Sequence, residues 1–212
     1  GQVRQFLQSS TDWCYQSNNM EGLLLLAKSF LIIDQPLAAI EVYQRGLEKF
    51  PNDTLLLTGI ARIQEELRQA DNALTTYKKV LVYDANNVEG LACIASHCFY
   101  NGQPEFALIL YRRLLQMGIQ SAEVLCNLGL CCLKTQQYDL MIPCFENTLA
   151  LTVRQNKDLL VADLWFNLGH IALSVGNYEL ASLCWKLALR FNPHHGEACN
   201  NLALMALIDG RV

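Results

Sequence analysis

The sequence predicts an all-α fold, a solenoid of antiparallel helix pairs stacked along the chain. Three observations carry that expectation. The same column of residue types returns every 34 residues. Within each period a small residue and an aromatic one keep a fixed offset of 16 positions. The composition, 52% apolar and 17% charged, supplies enough apolar surface for a large core.

Each unit is numbered here so that Ala162 is position 1. The pattern then restarts at Met20, Thr54, Val88, Ala122 and Gly196. The step is 34 residues except between Ala122 and Ala162, where it is 40 and an insertion lies near 156–161. The chain thereby divides into 20–53, 54–87, 88–121, 122–161 with the insertion, and 162–195. Residues 1–19 read as the second helix of a preceding repeat, and 196–212 as the first helix of a further, truncated one. Both ends, and the absence of an initial Met, raise the expectation of a longer array.

Positions 4, 7, 8 and 11 share one face at 100° per residue, which makes an amphipathic first helix. Position 7 is Leu26, Ile60, Ile94, Leu128, Leu168 and Leu202. Position 8 is Ala27, Ala61, Ala95, Gly129, Gly169 and Ala203, small enough for the second helix to approach closely. Position 24 is Tyr43, Tyr77, Tyr111, Phe145 and Trp185, which fill the remaining space of a tightly packed interior. Position 20 is Ala39, Ala73, Ala107 and Ala181, with Met141 the exception. Pro36 and Pro104 fall where a second helix starts, a position that tolerates proline because its N–H needs no partner. Gly102, Gly176 and Gly210 fall in or near the turn between the two helices. Helix pairs with this period and these columns resemble the tetratricopeptide repeat, which implies a right-handed superhelix with a concave groove lined by the first helices.

Net charge is −4, which argues against nucleic acid as a partner. The apolar run Gly22–Ala27 is cut by Lys28, so no transmembrane segment is expected. Residues 1–20 lack the layout of a signal peptide. The nine cysteines include no CxxC pair and suit reduced thiols acting as small core residues. Cys98 and Cys132 share position 11 and are expected to be buried and unpaired. No phosphate loop, HExxH or GxSxG occurs, so neither an enzyme nor a cofactor or metal site is expected. Positions 2 and 5 carry no Lys or Arg, which tells against a clamp for a peptide carboxylate.

Two patterns point to partners. The first is a basic strip on the second helices: Arg45, Lys78, Lys79, Arg112 and Arg113. It reads as a solvated face or as a contact for a partner or an anionic surface. The second lies on the first helices, on the side away from their packing face. Position 6 is Asn127, Asn167 and Asn201 in the last three units, and position 2 is Glu123, Asp163 and Glu197. The acids suit a helix N-terminus, but Asn is a poor helix former. The Asn row either meets an extended, partly basic partner segment or bonds to neighbouring helices.

The stretches "SHCFYNGQPEFALILYRRLLQMGI" (96–119), "NLGLCCLKTQQYD" (127–139), "LLLAKSFLIIDQPLAAIEVYQRGLEKFP" (24–51) and "WFNLGHIAL" (165–173) resemble the tetratricopeptide repeat protein 8 family of Bardet–Biedl syndrome proteins, subunits of the BBSome. That resemblance implies a non-catalytic scaffold in a coat-like complex that sorts membrane proteins to and from cilia. It implies a cytoplasmic protein at the ciliary base, centrosome and cilium, with other BBSome subunits as partners. A small, extended one of these would lie in the groove, and membrane association would be indirect, through an Arf-like GTPase. The competing reading is a generic tetratricopeptide adaptor that holds an extended peptide in another assembly.

Overall fold

The computed structural model describes residues 19–155 and 158–208, apart from the side chain of residue 153. Eleven helices occupy the described residues: α1 (Met20–Ile32), α2 (Pro36–Lys49), α3 (Thr54–Glu66), α4 (Ala70–Tyr83), α5 (Val88–Tyr100), α6 (Pro104–Gln116), α7 (Ala122–Lys134), α8 (Tyr138–Gln155), α9 (Asp158–Ser174), α10 (Tyr178–Phe191) and α11 (Gly196–Ile208). They fall into two compact units that divide between Leu110 and Tyr111, inside α6. The stretch read as a preceding helix, 1–19, lies outside the described residues except for Asn19, as does Gly210.

In the first unit α1 packs on α2 and α3 on α4, and the pairs are joined through α2 against α3 and α4 against α5. Leu23, Ala27, Ala39, Tyr43, Leu56 and Ile63 form one buried cluster there. Ala61, Tyr77 and Val80 form another. In the second unit α7 packs on α8, α9 on α10, and α10 on α11. Its terminal cluster joins Ala172, Ala181, Trp185, Ala188 and Ala198, all buried. Leu202, Met205 and Ala206 on α11 are only half-buried.

First helices start where a short polar side chain closes the exposed N–H groups. Asn19 accepts from Gly22 N at 3.1 Å, Asp53 from Leu55 N and Leu56 N at 3.0 Å, Asn87 from Gly90 N at 2.9 Å, and Ser121 from Val124 N at 3.2 Å. These residues form a column at position 34 that the sequence reading passed over. The extra residues of the long fourth step are partly helical, because α9 begins at Asp158, four residues before Ala162.

Each of the first five first helices ends on a left-handed residue at position 15. Gly102 and Gly176 have φ of +72° and +78°, and Asp34, Arg68 and Gln136 take +58°, +61° and +58° without being glycine. The next N–H then bonds back five residues, as from Gln35 to Phe30 O, Gln69 to Gln64 O and Gln137 to Cys132 O, at 2.8–2.9 Å. This reversal satisfies carbonyls that the helix end leaves open. The turn geometry therefore belongs to the register, and glycine marks only two of its five instances.

One expectation about the core is corrected. Cys132 is buried at 1% exposure, but Cys98, at the same position, is only half-buried. Position 11 is not uniformly internal: Phe30 and Gln64 are half-buried there as well. All eight described cysteines are free.

Candidate partner-binding face

Helices α7, α9 and α11 are the first helices of consecutive repeats, so the same register position recurs on each. Asn127, Asn167 and Asn201 are all half-buried. Asn201 is bonded, its Nδ2 lying 3.3 Å from His170 Nε2 on α9. Among the described residues, the amides of Asn127 and Asn167 make no side-chain hydrogen bond. The row therefore divides into two open amides and one that bridges adjacent helices.

The acids of position 2 are exposed but engaged. Asp163 Oδ1 lies 3.4 Å from His195 Nε2. Glu197 lies close enough to His170 to favour that ring's charged form. Glu123 likewise has an interaction partner. In the first unit Glu89 pairs with Arg62, a position-9 residue of the preceding first helix. Position 9 thus reaches position 2 of the next repeat, both as Arg62 to Glu89 and as His170 to Glu197.

Of the basic strip, Arg45, Lys78 and Lys79 belong to the first unit and Arg112 and Arg113 to the second, and all five are exposed. Arg112 donates to Gln137 Oε1 at 2.9 Å, and Arg45 and Arg113 also have partners.

A cluster of aromatics and histidines went unrecognised in the sequence. His195 is 8% exposed. Its Nδ1 accepts from Ala198 N at 3.3 Å, which caps α11, while its ring lies 4.7 Å from Phe166. Phe166 also meets His170 edge-on at 4.6 Å, and His170 lies 5.6 Å from Trp185. Trp185 Nε1 donates to Phe166 O at 3.2 Å, tying α10 to α9. The available signal was the capping column at position 34, where His195 follows Asn19, Asp53, Asn87 and Ser121.

Among the described residues, no three His, Cys, Asp or Glu side chains are grouped to hold a metal ion, and no helix is long and apolar enough to cross a membrane. The face offers amide donors and acceptors together with carboxylates.

The tetratricopeptide repeat profile matches residues 122–151 and 162–195. The solved structure of YrrB, titled a tetratricopeptide protein with an unusual peptide-binding site, superposes with a TM-score of 0.68 over 92% of this chain and 98% of that one, at 17% identity. That likeness concerns the fold alone. Tetratricopeptide repeat protein 8 of Mus musculus is 47% identical over 93% of this chain and 38% of its own length. The protein of that name from Caenorhabditis elegans is 38% identical over 97% of this chain and 39% of its own length. The chain belongs to the tetratricopeptide repeat protein 8 family. It spans about two fifths of the length of these relatives. The BBSome complex member BBS4 of Bos taurus is more distant, 27% identical over 85% of this chain and 34% of its own length.

The contact between His170 on α9 and Asn201 on α11 is expected to respond to pH. The His170 pKa is lowered, first by burial of the ring and also by Lys134, while Glu197 opposes the shift. A folded pKa below the unfolded value means that the neutral ring contributes fully above the unfolded range, about 6.5, and less as pH falls through the folded pKa. Protonation also removes the Nε2 lone pair that faces the Asn201 amide. The melting temperature should therefore fall between pH 7.5 and 5, and His170→Gln should flatten part of that slope. An identical slope in wild type and variant excludes His170 as its source.

Proposed function

We propose that this chain is part of a non-catalytic scaffold subunit of a BBSome-type complex, acting through protein–protein contacts in the sorting of membrane proteins to and from cilia. Its place would be the cytoplasm near the ciliary base, its partners other subunits of that complex, and its membrane contact indirect, through an Arf-like GTPase. The family membership supports this reading, as does its likeness to a relative named as a BBSome complex member. Within the second unit, the face of α7, α9 and α11 would hold an extended, partly basic segment of another subunit. The observation that carries this is the pair of half-buried, unbonded amides of Asn127 and Asn167 in register on the first helices of consecutive repeats. An amide offers one acceptor and two N–H donors, which match a peptide backbone whatever its side chains.

The test is recovery of other subunits with tagged full-length protein from ciliated cells, read by mass spectrometry. Asn127→Ala, Asn167→Ala and Asn201→Ala combined should lower recovery at least about tenfold, the loss of roughly 1.4 kcal/mol of binding. Stability should fall little, since only Asn201 gives up a bond, worth about 1 kcal/mol. Full recovery together with a sharp drop in melting temperature would show the row to be structural and overturn the groove reading.

A further inference from the structure

Beside Trp185, at the junction of α9, α10 and α11, lies a cavity of about 260 Å³ walled by Leu173, Tyr178, Asn201, Leu204, Met205 and Ile208. These are positions 12 and 17 of one repeat and 6, 9, 10 and 13 of the next. The same six positions wall a cavity of about 420 Å³ in the first unit, where α3, α4 and α5 meet. There a second helix, α6, follows α5, and the cavity is present all the same. The chemistry differs between the two. Glu65, Ser96 and His97 stand in the first unit where Leu173, Leu204 and Met205 stand in the second.

We infer that the α9–α10–α11 cavity is an anchor pocket for one large apolar side chain of an extended, basic partner segment. The inference rests on the groove reading above and adds its specificity. About 260 Å³ falls below the range of roughly 300–1,000 Å³ typical of small-molecule sites, so a single side chain is the fitting occupant. Leu204 is 58% exposed and Ile208 76%, so the apolar mouth is open to such a side chain. Asn201 stands on the wall, where its carbonyl can accept from a backbone N–H beside the anchor. The exposed carboxylates of Asp163 and Glu197, at position 2 of the same two first helices, match a basic flank. The corresponding first-unit cavity carries Glu65 and His97 among its mostly apolar walls, so it would suit an apolar anchor less well.

The test uses full-length protein and fluorescein-labelled peptides Lys-Ser-Lys-X-Ser-Lys-Ser with X as Leu, Ala or Glu, read by fluorescence anisotropy. The Leu peptide should bind at least about tenfold tighter than the Ala peptide, as burial of a large aliphatic side chain requires. Leu204→Glu should abolish that preference while leaving the melting temperature unchanged, because Leu204 is mostly exposed. Ile208→Glu is the second variant, at a still more open site. Glu197→Lys should weaken all three peptides alike and keep the Leu preference. Equal binding of Leu and Ala peptides overturns the anchor while the groove reading, tested by subunit recovery, stands separately. Absence of binding by every peptide also overturns the anchor. A wild-type dimer in sedimentation that Leu204→Glu dissociates would show a second copy in the pocket, and overturns it too.

Discussion

Gly169→Leu is expected to cost about 3 kcal/mol or more of stability, at the upper end of overpacking effects. A Cβ placed on Gly169 would stand 2.6 Å from Trp185 Cδ1 and 3.0 Å from Cε2. Trp185 is 1% exposed and held to Phe166 O through its indole N–H, so displacing the ring breaks that bond and its packing. The repeat supplies its own control. Where position 8 is Ala, position 24 is Tyr, as in Ala27 with Tyr43 and Ala61 with Tyr77. Where position 8 is Gly, position 24 is Phe145 or Trp185. A Cβ on Gly129 would stand 2.6 Å from Phe145 Cε1. Gly169→Ala and Trp185→Tyr should therefore each destabilise alone and together recreate the pairing of the earlier repeats. Urea unfolding should show the double variant less damaged than the sum of the singles, by about 1–2 kcal/mol. Strict additivity would mean that position 8 and position 24 do not share a space.

Thiol reactivity should span at least about three orders of magnitude at pH 7.5, because alkylation requires a thiolate that is reachable. Among the described cysteines, Cys199 is exposed and should react first, with half-buried Cys98 behind it. Burial, joined by the carboxylates of Asp163 and Glu123, pushes Cys126 up to about 12. Burial pushes Cys131 to about 12 and Cys144 to about 11, each with a smaller contribution from Cys132. Cys93 is only half-buried but stands at about 12 through burial and its contact with Glu65, so it should lag behind Cys98. A folded thiol pKa above the unfolded value stabilises fully below the unfolded range and less as pH rises through the folded one. Melting temperature should accordingly decline above about pH 9, where unfolded thiols ionise and folded ones do not. Iodoacetamide time courses resolved by mass spectrometry give the order directly. Modification of Cys131 as fast as Cys199 would show that the α7–α8 core opens readily.

Much of this fold could be read in one dimension, because a solenoid repeats its contacts at a fixed separation. A residue at position 8 meets position 24 of its own repeat, so Gly169 with Trp185 and Gly129 with Phe145 appear as paired columns before any coordinates exist. Helix starts follow from the same register, and Pro36 and Pro104 stand at the first residues of α2 and α6 as expected. The candidate face was readable as a set of positions and not as a set of bonds. Arg62 with Glu89 and Asn201 with His170 join residues 27 and 31 apart in sequence. Such contacts cross a junction whose side chains differ from repeat to repeat, so no column announces them.

The sequence by itself determined the helix pairs, their stacking register and which small and aromatic residues share each interior, since these depend on periodicity and side-chain volume. Tertiary structure alone decided that Asn201 is bonded while Asn127 and Asn167 are open. It also decided that His195 is both cap and carboxylate partner, and that Arg68 and Gln136 adopt the left-handed turn of Gly102 and Gly176. It also placed Glu65, Ser96 and His97 in the wall of one junction cavity and Leu173, Leu204 and Met205 in the wall of the other. The reason is common to all of these. Hydrogen bonding and cavity chemistry depend on which side chains two neighbouring repeats bring to one junction, and only stacking in three dimensions brings them together.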